Sequence, residues 1–373
     1  MTASPHRRFV AALLPFAAAA ISACGESTTP FDAVALSQNT DEIVNVMDNS
    51  PAMQSMGVLG QKMTAGAPAL GAAAFLAATI PGPTVTGEGF ATWASRRLQA
   101  FQAAVPTLAA APEGVVIPDL IESKTFTYDV ETGAYVLSDR EGAPANGVRF
   151  MLYAVNTLTH SVAQPLREIG CADLMDESTS TTALQLHLKA YVPCPTTSGS
   201  TALIDYTASA TVTTTGPTVT SGTVTVVGYV SDGTTQVEFD LNQQISTSSG
   251  IHVEYGLAVP EKDVDVTFEA TFTLTQQATV MLTVNHGGNT TVVAVSGTQA
   301  SITGNIKHND AVVMNISGSP INPVFTNPSG NPPTSEQAAA LHKLFDFADT
   351  LLDHVDEMLA PALHLLGLAS FFA

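Results

Sequence analysis

A chain of 373 residues with a formal charge of −20 repels phosphate backbones and anionic headgroups, which argues against nucleic acid as a partner. Only 12% of its residues are charged, whereas Thr, Ser, Gly and Ala are abundant. That composition suits exposed β-structure outside the cytoplasm better than a cytosolic enzyme. Length alone allows two domains, but a leader, a tether and linkers reduce the expectation to one main domain.

The amino terminus carries an address. His6, Arg7 and Arg8 form a short basic region, and Phe9 to Ala20 is an apolar run too short to span a bilayer. Ile21-Ser22-Ala23-Cys24 follows at once. This tetrapeptide resembles the lipobox of bacterial lipoproteins, although that family most often has Leu where this chain has Ile21. The resemblance implies that residues 1–23 are a signal peptide and that Cys24 is lipidated and becomes the new amino terminus. Gly25, in place of Asp, implies outer-membrane rather than inner-membrane retention. The chain's partner is then a membrane, reached through lipid and not through basic residues. Ordinary signal-peptidase cleavage near Ala23 is the alternative. With Cys24 lipidated, Cys171 and Cys194 remain in an oxidising compartment, where two thiols are expected to join as a disulfide or else stay buried and unpaired.

Residues 24–38 read as a polar tether, and 39–111 as a helical region. Thr40 is placed as an N-cap, with Asp41 and Glu42 in the first turn. Ile43, Val44 and Met47 give the helix an apolar side, Pro51 interrupts it, and Met53, Met56 and Leu59 form a second apolar set. Core packing is the commoner role for such methionines, and an adaptable binding surface the rarer one. Thr64 to Glu88 is an Ala/Gly/Pro-rich loop. Gly89 to Val105 returns to helical spacing, with Trp93, the only Trp, placed to pack on a sheet.

Over 112–319 the period is two, which predicts an antiparallel β domain. Thr125 to Val130 and Ala134 to Asp139 form a hairpin around Gly133, and Val148 to Val155, apolar on both faces, reads as a central strand. Residues from Thr159 to Ser180 read as irregular. The clearest alternation lies from Thr234 to Ile316: Val237, Phe239 and Leu241 against Glu238, Asp240 and Asn242, and Val264, Val266, Phe268 and Phe272 against Asp263, Asp265 and Thr267. Asp232-Gly233 and His286-Gly287-Gly288-Asn289 mark tight turns. The fold class predicted is α+β: a long antiparallel meander of about a dozen strands, as a curved sheet or half-barrel, with one wet and one dry face. An outer-membrane β-barrel is the less favoured layout, because aromatics are only 6% and no long loops gather on one side.

Pro320, Pro323, Pro328, Pro332 and Pro333 mark a linker over 320–333. Thr334 with Gln337 then forms a capping box for a helix over 334–373, whose stripe includes Leu341, Leu344, Phe345, Leu351 and Leu352. This helix and the N-terminal ones are expected to cover the dry face.

Motifs for a phosphate loop, a zinc helix or a nucleophile elbow are missing from the sequence. Asp263 with Asp265, and His342 with Asp346, are pairs without a third metal ligand, so no metal, cofactor or catalytic residue is expected. What the order of elements resembles, on architecture alone, is the half-barrel of lipoprotein carriers. That likeness implies a lipid or other hydrophobic ligand between sheet and helices, on the face formed by Val264, Val266, Phe268 and Phe272 and by Leu344, Phe345, Leu351 and Leu352. The alternative is a structural or interaction lipoprotein with a fully packed core and no ligand.

Overall fold

The computed structural model describes residues 43–62, 117, 119–180, 183–195, 200–216, 218–298, 300–319, 322–339 and 341. After a helical segment over 43–49 and helix α1 (Pro51–Lys62), these residues form strands almost throughout. In chain order the strands are β1 (Lys124–Asp129), β2 (Ala134–Ser138), β3 (Gly147–Tyr153), β4 (Val155–Asn156), β5 (Ser161–Val162), β6 (Glu168–Asp176) and β7 (Ala183–Tyr191). They continue as β8 (Ile204–Thr215), β9 (Thr218–Ser231), β10 (Gln236–Ser246), β11 (Gly250–Val259) and β12 (Val264–Phe272). The last five are β13 (Ala278–His286), β14 (Asn289–Gly297), β15 (Ile302–His308), β16 (Ala311–Ser319) and β17 (Asn322–Thr326).

Fifteen of these strands make one sheet in the order β17 through β6 by unit steps, then β3, β1 and β2, while β4 and β5 pair separately. The sheet is open, with β17 and β2 at its ends, not closed into a barrel. Tight turns produce the meander. Gly287 and Gly288 both take positive φ in the two-residue turn between β13 and β14, as does Gly133 between β1 and β2, conformations that a side chain would strain.

Three details differ from the sequence-based expectation. The sheet is mixed, because β1 runs parallel to β3, with Phe126 opposite Phe150. The stretch read as irregular contains β6, which is buried on both sides from Gly170 to Leu174 and so lacks the alternation that marks a half-buried strand. The proline-rich linker contains β17, where Pro323 is tolerated because an edge strand can leave one side of a residue without a ladder bond.

The dry face is continuous across the meander. One row, set by register, runs Leu241, Tyr255, Phe268, Leu282, Val293, Ile306 and Met314 from β10 to β16. A neighbouring row places Gly228 of β9 between Tyr206 of β8 and Phe239 of β10. A Cβ on Gly228 would lie 2.4 Å from Tyr206 Cβ, so only glycine lets the two rings approach across the strand, centroids 6.2 Å apart. Each fully buried aliphatic or aromatic side chain in these rows contributes about 2 kcal/mol relative to exposure.

Helix α1 begins with Pro51 after Ser50, whose Oγ accepts the Met53 N–H at 3.4 Å, an arrangement that satisfies one unpaired helix donor. α1 lies against β3, β4, β2 and β5. At the other end of the chain the expected capping box is present: Thr334 N–H donates to Gln337 Oε1 at 3.0 Å and Gln337 N–H to Thr334 Oγ1 at 3.2 Å. The helix it opens is described over 335–339 and at 341, where Leu341 is buried in the core. Among the described residues, no helix is long and apolar enough to cross a membrane.

Candidate functional site

A cleft of about 340 Å³ opens where the N-terminal helical segments meet the β4–β5 hairpin. Met47, Met53 and Val58 from the helical side and Val155 from β4 give it an apolar lining, and Asp48, Gln54 and His160 supply polar groups. Thioethers on three rotatable bonds fit irregular apolar guests. Ser50 and Pro51 fix the break between the two helical segments, and that break puts Met47 and Met53 on the same cleft.

The opposite wall is held by short-range hydrogen bonds. β4 and β5 pair Val155 with Val162 and Asn156 with Ser161. At the tip, Leu158 N–H donates to Asn156 Oδ1 at 3.0 Å and Thr159 N–H to Asn156 O at 3.2 Å. His160 closes the turn in the left-handed region, φ 47°. This conformation is uncommon for a residue with a Cβ and is retained here at the edge of the cleft. Leu158 at the tip is 90% exposed.

Among the described residues, one buried side-chain bond ties helix α1 to the sheet. The pairing of β3 with β6 slips between Leu152 and Tyr153, and the Tyr153 N–H donates to Ser55 Oγ at 3.1 Å. A buried amide next to a register slip needs such a partner.

Of the residues expected to form an apolar ligand face, Val264, Val266 and Phe272 are buried on one side of β12, and Phe268, half-buried, packs on Tyr255 with centroids 5.9 Å apart. Leu344, Phe345, Leu351 and Leu352 lie outside the described residues, as does Cys24. Cys171 and Cys194 form the disulfide, Cα atoms 5.0 Å apart, and so fasten β6 to the segment after β7. Sequence periodicity placed Val155 at the end of a strand over Val148 to Val155, whereas β3 ends at Tyr153 and Val155 starts the separate β4; it did not reach Thr157 and His160, because the hairpin beside them has two residues per strand. The methionine pair was its one visible signal.

Asp263 ends the 3₁₀ turn Pro260–Lys262 in a left-handed conformation, while Asp265 on β12 accepts a hydrogen bond from Asn285 Nδ2 at 3.1 Å. His342 and Asp346 lie outside the described residues. On the wet face, His187 of β7 stands between two carboxylates, its Nε2 2.7 Å from Asp205 Oδ1 and its Nδ1 3.2 Å from Glu177 Oε1. Lys189 Nζ adds a contact to Asp205 at 3.4 Å. The hydrogen bond from Gln185, and then that with His187, holds the Glu177 carboxyl below the usual carboxylate range. This network links three adjacent segments of the sheet. Among the described residues, no group of three His, Cys, Asp or Glu side chains is placed to hold a metal ion.

The chain matches no protein-family model, no curated protein and no solved structure.

Proposed function

We propose that this chain is a lipid-anchored, non-catalytic protein of the cell envelope, anchored in the outer membrane through Cys24, that holds a lipid or other hydrophobic small molecule between its strands and its helical ends. The observation that carries the reading is the cleft bounded by Met47, Met53, Val58 and Val155. Its volume of about 340 Å³ falls within the range of small-molecule sites, and its few polar groups sit among apolar ones, as such sites require. The lipobox-like Ile21-Ser22-Ala23-Cys24 supports the address, and the acidic composition leaves lipid as the means of attachment.

The test is uptake of a fluorescent fatty-acid probe by the delipidated full chain. Wild-type protein is expected to bind it, and Gln54→Trp, which places an indole in the cleft, is expected to weaken binding at least tenfold without lowering the unfolding midpoint. Binding unchanged by Gln54→Trp moves the ligand away from this cleft. No uptake by the wild type favours the second reading, a structural or interaction lipoprotein with a packed core. That reading draws on the near-complete burial of Val264, Val266 and Phe272.

A further inference from the structure

The kind of guest that the cleft beside α1 admits follows from its lining. Met53, Gln54, Gly57 and Val58 all border it, and on a helix these four positions share one face, so the cleft runs along one side of α1. Met47, from the segment before Pro51, extends that wall, and Val155 of β4 belongs to the opposite one. Gly57 is the exception among them. It is buried in the middle of α1, where glycine is a poor helix former, yet it brings no side chain to fill the space beside it. One turn on from Met53, it keeps open a volume that any larger residue would take from the cleft.

The cleft is graded from dry to wet. Met47, Met53 and Val58 are almost fully buried, whereas Asp48, Asn49, Thr157 and His160 are exposed at its mouth. A guest with an apolar tail and a polar head matches that gradient. A volume of about 340 Å³ has room for about eleven methylene-sized groups at roughly 30 Å³ each, the share of one water in the liquid. One tail of about ten carbons therefore fills it, and a hexadecyl chain or a two-tailed lipid does not fit. Asp48 stands at the mouth, no Lys or Arg is among the described lining residues, and the chain carries a formal charge of −20, all of which disfavour an anionic head. The donors and acceptors of Asn49, Thr157 and His160 suit a hydroxyl or an amide instead.

We infer that the cleft selects a single-tailed, medium-chain amphiphile of about ten carbons with an uncharged, hydrogen-bonding head, and that Gly57 sets the length of tail it accepts. The inference rests on the hydrophobic-ligand reading above and narrows it from any lipid to one class. The tail lies along the Met53–Gly57 face of α1 against Val155, and the head stays at the wet mouth.

The delipidated full chain is titrated with the primary alcohols from hexanol to hexadecanol and with decanoate, read by native mass spectrometry and by displacement of the fluorescent probe. Affinity is expected to rise about fourfold per added methylene up to decanol, equivalent to ~0.8 kcal/mol, and to level off beyond it. Decanoate is expected to bind about fivefold more weakly than decanol. Gly57→Ala adds one methyl to the wall, so the break in the series should move about one carbon shorter while the unfolding midpoint holds or rises, alanine being the better helix former. Gly57→Leu should move the break shorter by about four carbons. An affinity that climbs evenly through hexadecanol, decanoate binding as tightly as decanol, or a break that both Gly57 variants leave in place overturns the inference and leaves the hydrophobic-ligand reading intact. A lower midpoint for Gly57→Ala also overturns it, because the methyl then meets packed protein and not open cleft. Binding of none of the alcohols overturns both.

Discussion

The bond from Tyr153 to Ser55 predicts a coupling between stability and the cleft. Ser55 is buried in α1, and its Oγ accepts from an amide that the β3–β6 ladder leaves over at its slip. Ser55→Ala removes the acceptor without opening a large cavity. An unsatisfied buried N–H costs about 1–3 kcal/mol. Alanine is the better helix former by about 0.5 kcal/mol, which offsets part of that loss. The net expectation is a destabilisation of about 0.5–2.5 kcal/mol, measured as a lower urea midpoint at unchanged slope. Because the bond fixes one wall of the cleft, the affinity for the fluorescent probe should fall in the same variant, and Ser55→Thr, which retains a hydroxyl, should restore much of both. Hydrogen exchange gives the direct check: the Tyr153 amide should lose protection in Ser55→Ala, while amides of β10 to β13 keep theirs. If the Tyr153 amide stays as protected as in the wild type, it has another acceptor, and the account of how α1 is held is wrong.

Three further perturbations test the frame. Cys171→Ala with Cys194→Ala opens a loop with a sequence separation of 23, and should cost about 3 kcal/mol in chemical unfolding under oxidising conditions, with no difference from wild type once both are reduced. Arg149 and Asp173, directly opposite on β3 and β6, form a two-point pair at 2.6 and 2.7 Å with side chains only 15% and 12% exposed. Arg149→Leu should therefore destabilise by about 3 kcal/mol and the double variant with Asp173→Leu by less, since the lone carboxylate is then gone; equal losses would count against the pairing. Glu177 has a carboxyl held below its ordinary 4.5 by Gln185 and His187. Its contribution is present above 4.5 and is lost as pH falls through the lowered folded value, so Glu177→Gln should lower stability slightly at neutral pH, leave it unchanged at low pH, and thereby flatten the acid limb of a stability-versus-pH curve.

What could be read from the residues, and what could not, follows from how many faces of a strand are buried. β10, β11 and β12 alternate cleanly because one side is wet and the other dry, so their extent and their inward residues followed from period two. β6 is buried on both sides, and its run Gly170 to Leu174 has no period to detect. Pro323 suggested a linker because a proline is unwelcome inside a sheet, but it sits on an edge, a position that only the tertiary arrangement defines. The parallel contact between β1 and β3 was hidden for a similar reason: it depends on the hairpin partner β2 taking the outer place. The methionines of the cleft were visible as a helical set, yet nothing in the sequence placed a two-residue hairpin opposite them.

An open sheet of fifteen strands must also avoid pairing with further chains at its two ends, and here the two ends use different means. β17 is five residues long and carries Pro323, which has no N–H to offer an incoming strand. β2 is equally short, and Tyr135 within it is turned inward, its hydroxyl donating to Met151 O at 3.0 Å while its ring packs on Tyr128 and Phe150. Between the ends, register slips at Leu152/Tyr153, Thr213/Thr214 and Ile306/Lys307 interrupt three of the ladders. Each slip raises the local twist, so a flat stack with a second sheet is disfavoured at intervals along the whole width. The protection at β2 therefore depends on the aromatic packing of Tyr135, whereas that at β17 is covalent. Loss of the Tyr135 ring should expose the β2 end to self-association well before any change at Pro323 does so at the other.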